Sequence, residues 1–100
     1  MFVTHSSIVV PEGEEAALEQ AFRARLRAVD SHAGFVGLEL LRDFRKRGRY
    51  LLVTRWEDRD SFLRYMKSGD YRAAHARQHE GLSVTESESP DLQQFESVPL

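Results

Sequence analysis

The sequence predicts one α+β domain whose elements follow the order β-α-β-β-α-β. Two observations carry this prediction. Alternating β-branched and aromatic residues mark four strands, and apolar residues spaced three or four apart mark two helical regions. A length of 100 residues suits a single compact domain, so we expect residues 1–100 to form one unit. The composition agrees, since 41% hydrophobic and 30% charged residues are ordinary for a globular chain.

The first half of the chain is expected to supply a strand, a helix and a hairpin. Residues 2–10 alternate between two faces and form the first strand. Residues 14–29 form a helix, because their apolar side chains fall on one stripe. This stripe consists of Leu18, Ala21, Phe22, Leu26 and Val29. Residues 35–44 and 50–57 are the next two strands, joined by the polar hairpin loop 45–48.

The second half begins with a helical region that Asp58 or Asp60 can cap. The inward-facing candidates of this helix are Phe62, Tyr65 and Met66. The segment 68–70 interrupts the helix before it resumes, because glycine ends helices and aspartate caps them. Residues 81–90 are polar, so we expect a flexible loop that is able to act as a lid. Residues 91–98 form the last strand.

This element order is the split βαβ, or ferredoxin-like, arrangement. It places four strands in one antiparallel sheet with both helices on one face. In strand 50–57, one face carries Tyr50, Leu52 and Trp56, and the other face carries Leu51 and Val53. Both faces of the sheet are therefore apolar, while the helices cover only one of them. A homodimer in which two such sheets pack face to face would cover the second face.

Composition and motifs exclude several classes of function. A net charge of −2 is not that of a basic protein that coats nucleic acid, so we expect no nucleic-acid partner. The absence of cysteine excludes disulfides, iron–sulfur clusters and thiolate zinc sites. No signal-peptide pattern and no apolar run of about 20 residues is present, so we expect no membrane partner and a cytoplasmic location. Nucleophile-elbow, phosphate-loop and dinucleotide motifs are also absent.

Considered without any family resemblance, the sequence offers its four histidines as candidates for metal binding or catalysis. His75 and His79 stand at i and i+4 on one predicted helix, a spacing that can chelate a metal ion. A surface pair without metal is the alternative, because a third ligand would have to come from elsewhere, such as Glu80. His5 lies on the first strand, where we expect an interface residue. His32 lies in a turn, where we expect exposure to solvent.

Three segments, in order along the chain, carry a family resemblance. The first is VVPEG followed by FRARLRAVD, the second is HAGFVGLELLR leading to YLLVTRWED, and the third is SFLRYMKSGDYRAAHA. They are similar to the signature of antibiotic-biosynthesis monooxygenase domains, the superfamily that includes haem-degrading oxygenases. The resemblance covers residues 2 to about 79, with Ala33 where the family usually has proline. It implies a dimeric α+β barrel, in which two ferredoxin-like sheets pack together.

The resemblance also implies a site between sheet and helices. Haem-degrading members of the family use a helix histidine as the proximal ligand of the haem iron. They also use a strand asparagine near the oxygen-binding side and a helix tryptophan that distorts the porphyrin. These three positions fall on His75, Ser6 and Tyr65, so the histidine is retained and the other two residues are replaced. Haem would then be both cofactor and substrate.

Three functions remain open on the sequence. The first is a haem-binding oxygenase of the haem-degrading type, with His75 on the iron. The second is a cofactor-independent monooxygenase of phenolic or quinol small molecules, in which Tyr65 or His75 positions the substrate. The third is a non-catalytic ligand-binding dimer of the same fold. In that case, His75 would be packed with its nitrogens satisfied, and Tyr65 would be a core residue with its hydroxyl at the rim.

Overall fold

The computed structural model describes residues 1–68, 85–86 and 92–100. The elements in these ranges are β1 (Phe2–Val9), α1 (Glu15–Val29), β2 (Phe35–Arg42), β3 (Arg49–Trp56), α2 (Arg59–Met66), β4 (Thr85–Glu86) and β5 (Gln93–Glu96). The predicted order of strands and helices is confirmed, with β4 as an addition. The predicted continuation of the second helix, with His75 and His79, lies outside the described residues.

The strands form one antiparallel sheet in the order β2-β3-β1, with β4 and β5 both on the far edge of β1. β1 and β3 pair along their full length, from Phe2 opposite Trp56 to Val9 opposite Arg49. β4 lies opposite the last two residues of β1, and β5 lies opposite its first four. Two short strands therefore fill the fourth position of the sheet, and the ferredoxin-like arrangement is confirmed.

β4 lies within the segment 81–90, for which the sequence predicted a flexible loop. Its backbone pairs Thr85 with Val9 and Glu86 with Ile8. Pairing at the edge of a sheet requires only backbone N–H and C=O groups, so a polar segment can join without an apolar pattern. The expectation of a loop is wrong for these two residues. The other residues of the segment lie outside the described ranges.

The helix-facing side of the sheet carries the core in two clusters. The first cluster contains Ile8, Val10, Leu18, Phe22, Tyr50 and Leu52. The second cluster contains Phe2, Val29, Trp56, Phe62 and Tyr65. α1 supplies residues to both clusters and α2 to the second, so both helices pack on one face of the sheet, as predicted.

The start of α2 is fixed by a side-chain cap. Asp58 accepts hydrogen bonds from the backbone N–H and from the hydroxyl of Ser61, both at 2.8 Å. These bonds lower the pKa of Asp58 and identify it, rather than Asp60, as the cap. Gly34 has a φ of 82°, and a Cβ at this position would overlap the Ser61 hydroxyl. The turn 31–34 therefore packs closely against the first turn of α2.

The other face of the sheet, which we call the open face, carries apolar side chains beside the ion pair of Arg55 with Glu39. It carries Val3, His5, Leu41, Leu51, Val53 and Phe95. Leu41 and Phe95 are 43% and 45% exposed, and neither described helix covers this face. The ring centroids of His5 and Phe95 are 4.8 Å apart. His5 therefore lies on the face where an interface residue was predicted.

Candidate functional site

Ser6 lies in the helix-facing row of β1, between Thr4 and Ile8. It is 6% exposed and pairs across the sheet with Leu52. The alternation of strand side chains between two faces places Ser6 on the same side as Thr4 and Ile8. A buried hydroxyl here can donate one hydrogen bond and accept others within the layer between sheet and helices.

Two threonines form a buried polar strip beside Ser6. The hydroxyls of Thr4 and Thr54 share a hydrogen bond, and Trp56 Nε1 donates to Thr54 Oγ1 at 3.1 Å. The strip crosses β1 and β3 between the two apolar clusters, so this part of the helix–sheet layer is polar. Sequence reasoning missed it, although Thr4 and Ser6 visibly interrupt the apolar helix-facing row of β1.

Tyr65 is a fixed part of the second core cluster. It is 4% exposed, and its ring centroid lies 5.3 Å from that of Trp56 and 4.9 Å from that of His32. The ring therefore lies in the core, as the third of the open functions assumed. The expectation that its hydroxyl lies at the rim is wrong, because the hydroxyl is buried as well. Two aromatic neighbours hold this side chain, so its ring forms a wall with little freedom to move.

His32 does not point into solvent, contrary to expectation. It is half-buried, and its ring meets that of Tyr65 edge to face. The turn is folded back by local backbone bonds, in which the His32 N–H donates to Val29 O at 3.0 Å and the Phe35 N–H donates to His32 O at 3.1 Å. Gly34, in the same turn, lies against the Ser61 side chain of α2 and so holds the turn close to this helix.

The predicted site residues occupy different parts of one layer. Tyr65 packs in the cluster that contains Phe2, whereas Ser6 lies four residues further along β1. Four strand residues span about 13 Å, so a ligand that contacts both regions must be as broad as a multi-ring molecule. His75, including the predicted packing of its ring nitrogens, lies outside the described residues.

A cavity of about 440 Å³ lies between α1 and the β2 side of the sheet. Its apolar lining includes Phe22, Leu26, Leu38 and Leu40, and its polar lining is Glu19, Arg23, Arg42 and Tyr50. Small-molecule sites commonly enclose ~300–1,000 Å³ and combine apolar walls with a few polar groups. Sequence reasoning did not identify this cavity. Ser6 and Tyr65, which it did identify, are not among the lining residues.

Glu19 joins the polar groups of the cavity. Arg42 donates from Nε and Nη2 to the two carboxylate oxygens, each at 3.0 Å, and the Tyr50 hydroxyl donates to Oε2 at 2.8 Å. These three bonds, those from Arg42 foremost, lower the pKa of Glu19 from 4.5 to about 2. Burial, together with the bond to Glu19, raises the pKa of Tyr50. At neutral pH the cavity therefore holds a carboxylate, its guanidinium partner and a neutral phenol.

Metal ligands are not grouped in the described part of the chain. Within residues 1–68, 85–86 and 92–100, no three His, Asp or Glu side chains are placed to hold a metal ion. The predicted pair of His75 and His79 lies outside these ranges. A metal bound through a single histidine, as in a haem, does not require such a group.

Residues 1–77 match the family described as antibiotic biosynthesis monooxygenase. The chain belongs to this family. The resemblance read from the three sequence segments is therefore confirmed, and the family match extends over β1 to α2 without interruption.

Several relatives of known structure or activity are similar to this chain. A heme oxygenase (mycobilin-producing) of Mycobacterium tuberculosis is 39% identical over 71 residues, which make up 71% of this chain and 67% of that protein. The heme-degrader MhuD of the same species, solved with two hemes bound in its active site, is 35% identical with a TM-score of 0.78, covering 99% of this chain and 97% of that chain. SnoaB, a cofactor-independent oxygenase from Streptomyces nogalater, is 22% identical with a TM-score of 0.77, covering 99% and 95%. The likeness to SnoaB shows the fold alone.

Proposed function

We propose that this protein is a monooxygenase that binds haem between its sheet and its helices and oxidises it with dioxygen. The observation that carries the proposal is the 39% identity, over 71 residues, to a mycobacterial heme oxygenase. The family match over residues 1–77 spans the strands and helices β1 to α2, which enclose the helix–sheet layer. Haem would serve as cofactor and substrate, and it supplies the iron at which dioxygen is activated.

The chemistry of the described residues fits haem. The macrocycle is broad and apolar and carries carboxylates at one edge. The cavity beside α1 offers apolar walls together with two guanidinium groups, those of Arg23 and Arg42. Arg42 forms an ion pair with Glu19. Arg23 is exposed, and it donates one hydrogen bond to Gln20 at 3.0 Å. A guanidinium has five N–H donors, so Arg23 keeps donors for a carboxylate.

Three residues are assigned roles in this proposal. His75 would hold the iron through a neutral imidazole. Ser6 would place a hydroxyl on the helix-facing side of β1, where it can donate to a bound ligand directly or through water. Tyr65 would act as a fixed wall, because its ring is held by Trp56 and His32.

Titration of the purified protein with haemin tests the proposal. We expect a shifted and sharpened Soret band that saturates at one haem or a small whole number per chain, followed by loss of the band when a reductant and dioxygen are added. A spectrum identical to that of free haemin would contradict the proposal and leave cofactor-free oxidation of a phenol or quinol to be tested next. Haem binding without any loss of the band would instead indicate a non-catalytic ligand-binding dimer.

We also propose that the protein is a homodimer joined through the open face. The support is a pair of exposed apolar side chains on that face, Leu41 and Phe95, and the fact that neither described helix packs on it. A stable interface buries ~1,200–2,000 Å² in total, and we expect the interface between two open faces to bury an area of at least this size. Light scattering is expected to give twice the chain mass, and Leu41→Lys is expected to give the chain mass. Leu100→Lys, which changes an exposed terminal residue, is the control. A monomeric wild-type protein at micromolar concentration would contradict the proposal.

A further inference from the structure

The hairpin between β2 and β3 presents an aromatic ring and three cations to solvent. Phe44 is 103% exposed, so its ring has no more contact with the protein than it would have in an extended chain. Arg45, Lys46 and Arg47 follow it and are all exposed. Among the described residues, no carboxylate forms an ion pair with any of these three cations. We call residues 44–47 the hairpin tip.

The base of this hairpin is fixed by hydrogen bonds. Asp43 accepts from two backbone N–H groups of the tip, at 2.8 and 3.0 Å, and from Arg49 Nη1 at 2.7 Å. The Val10 N–H donates to Gly48 O at 2.7 Å and so ties the hairpin to the end of β1. Inward rotation of the tip would break these bonds, so the exposure of Phe44 is built into the turn.

The hairpin concentrates positive charge that the net charge of −2 conceals. Arg49 is paired with Asp43. Arg42 is paired with Glu19. Of the carboxylates that line the groove between α1 and the hairpin, Glu15 is the one not paired with Arg42 or Arg49. The three positive charges of the tip therefore exceed this one negative charge.

We propose that the hairpin tip is a peripheral contact site for an anionic lipid surface. Aromatic rings are stable at the level of lipid head groups, and each lysine or arginine near an anionic leaflet strengthens binding about fivefold. A tip of four residues offers much less area than the ~800 Å² per partner of a stable protein interface. A lipid surface accepts a protruding ring without a shape that matches it, and therefore suits this geometry better than a folded partner does.

This proposal departs from the expectation that the protein has no membrane partner. That expectation rested on the absence of a signal-peptide pattern and of a spanning segment, and contact through a hairpin requires neither. Helices able to cross a bilayer are absent from the described part of the chain, so the contact proposed is peripheral. The tip follows the end of β2 and lines a groove together with α1, which packs on the face of the sheet opposite the open face.

Sedimentation with vesicles tests the proposal. The protein is expected to bind vesicles of phosphatidylcholine containing one-third phosphatidylserine, to release them at high salt, and not to bind pure phosphatidylcholine. Replacing the three cations of the tip with glutamine is expected to weaken binding about 100-fold. The matched control replaces Arg27, Arg59 and Lys67 with glutamine, since these exposed cations lie outside the hairpin and their loss changes the net charge equally. This control is expected to bind as the parent does.

A second variant reports where the ring goes. Phe44→Trp is expected to show a blue-shifted emission component with anionic vesicles, measured as the difference from the parent, whose Trp56 is buried. Absence of vesicle binding, or equal weakening in both glutamine variants, would overturn the proposal. Binding to single-stranded DNA or to polyglutamate that requires the tip, with no binding to vesicles, would overturn it too and would assign the tip to a macromolecular polyanion or an acidic protein.

Discussion

Replacement of His75 with alanine is expected to abolish the shift of the Soret band that wild-type protein produces with haemin. In this proposal the imidazole of His75 would supply the single bond from the protein to the iron. We expect the affinity for haemin to fall at least about 100-fold, which corresponds to about 2.7 kcal/mol. Absorption titration under anaerobic conditions measures the loss without interference from turnover.

His79→Ala is the matched control for this prediction, because it removes the other imidazole of the same predicted helix one turn away. The control is expected to bind haemin as the wild type does. Circular dichroism of both variants shows whether either substitution unfolds the chain. Tight binding that survives His75→Ala but not His79→Ala would assign the iron to His79. Binding that survives both would place the ligand elsewhere in the chain.

The sequence predicted the strands and helices well where side-chain patterns determine them. Alternation along residues 2–10 predicted β1, which spans Phe2–Val9, and placed Ser6 on the same face as Ile8, because strand geometry leaves two orientations. β4 escaped prediction because an edge strand is held by backbone groups, which every sequence has. The position of His32 escaped prediction for a related reason, since the path of the turn decides it and the turn depends on Gly34 fitting against α2.

The cavity beside α1 shows which part of a site a pattern cannot reveal. Glu19 and Arg42 are 23 positions apart in the chain, and each is explained locally as a charged residue on a helix or at the end of a strand. Their pairing arises only when α1 packs on β2, an arrangement that brings Tyr50 into the same network. The family resemblance pointed to other residues, those matched to known pocket positions. The residues that line the cavity beside α1 and the residues matched to the family, Ser6, Tyr65 and His75, therefore have to be tested separately.

Ser6→Asn is expected to accelerate the loss of the Soret band in haemin-loaded protein supplied with reductant and dioxygen. The amide is longer than the hydroxyl and adds N–H donors to a buried position that faces the helix–sheet layer. A hydrogen bond to a charged group contributes ~1.5–3 kcal/mol, so an increase of about 10–100-fold is expected if the donor acts on the reacting species. Ser7→Asn is the matched control, since it introduces the same amide one residue along β1 on the open face.

Tyr65→Trp is expected to have two opposing effects. An indole at this position presses further into the layer, which favours distortion of a bound macrocycle. It also overfills a site where Trp56 and His32 already lie against the ring, and overpacking costs ~1–3 kcal/mol of folding free energy. Thermal melting should therefore show a lower midpoint for Tyr65→Trp but not for Tyr65→Phe, which keeps the size of the ring.

The combination of Ser6→Asn with Tyr65→Trp is expected to degrade haem faster than either single variant, because both changes act on one bound species. The rates have to be compared below the lowered melting temperature, with folded fractions measured on the same samples. Equal rates for Ser6→Asn and Ser7→Asn would show that position 6 does not face the bound ligand. A double variant no faster than Ser6→Asn would show that Tyr65 is a core residue alone, held by Trp56 and His32 and remote from the chemistry.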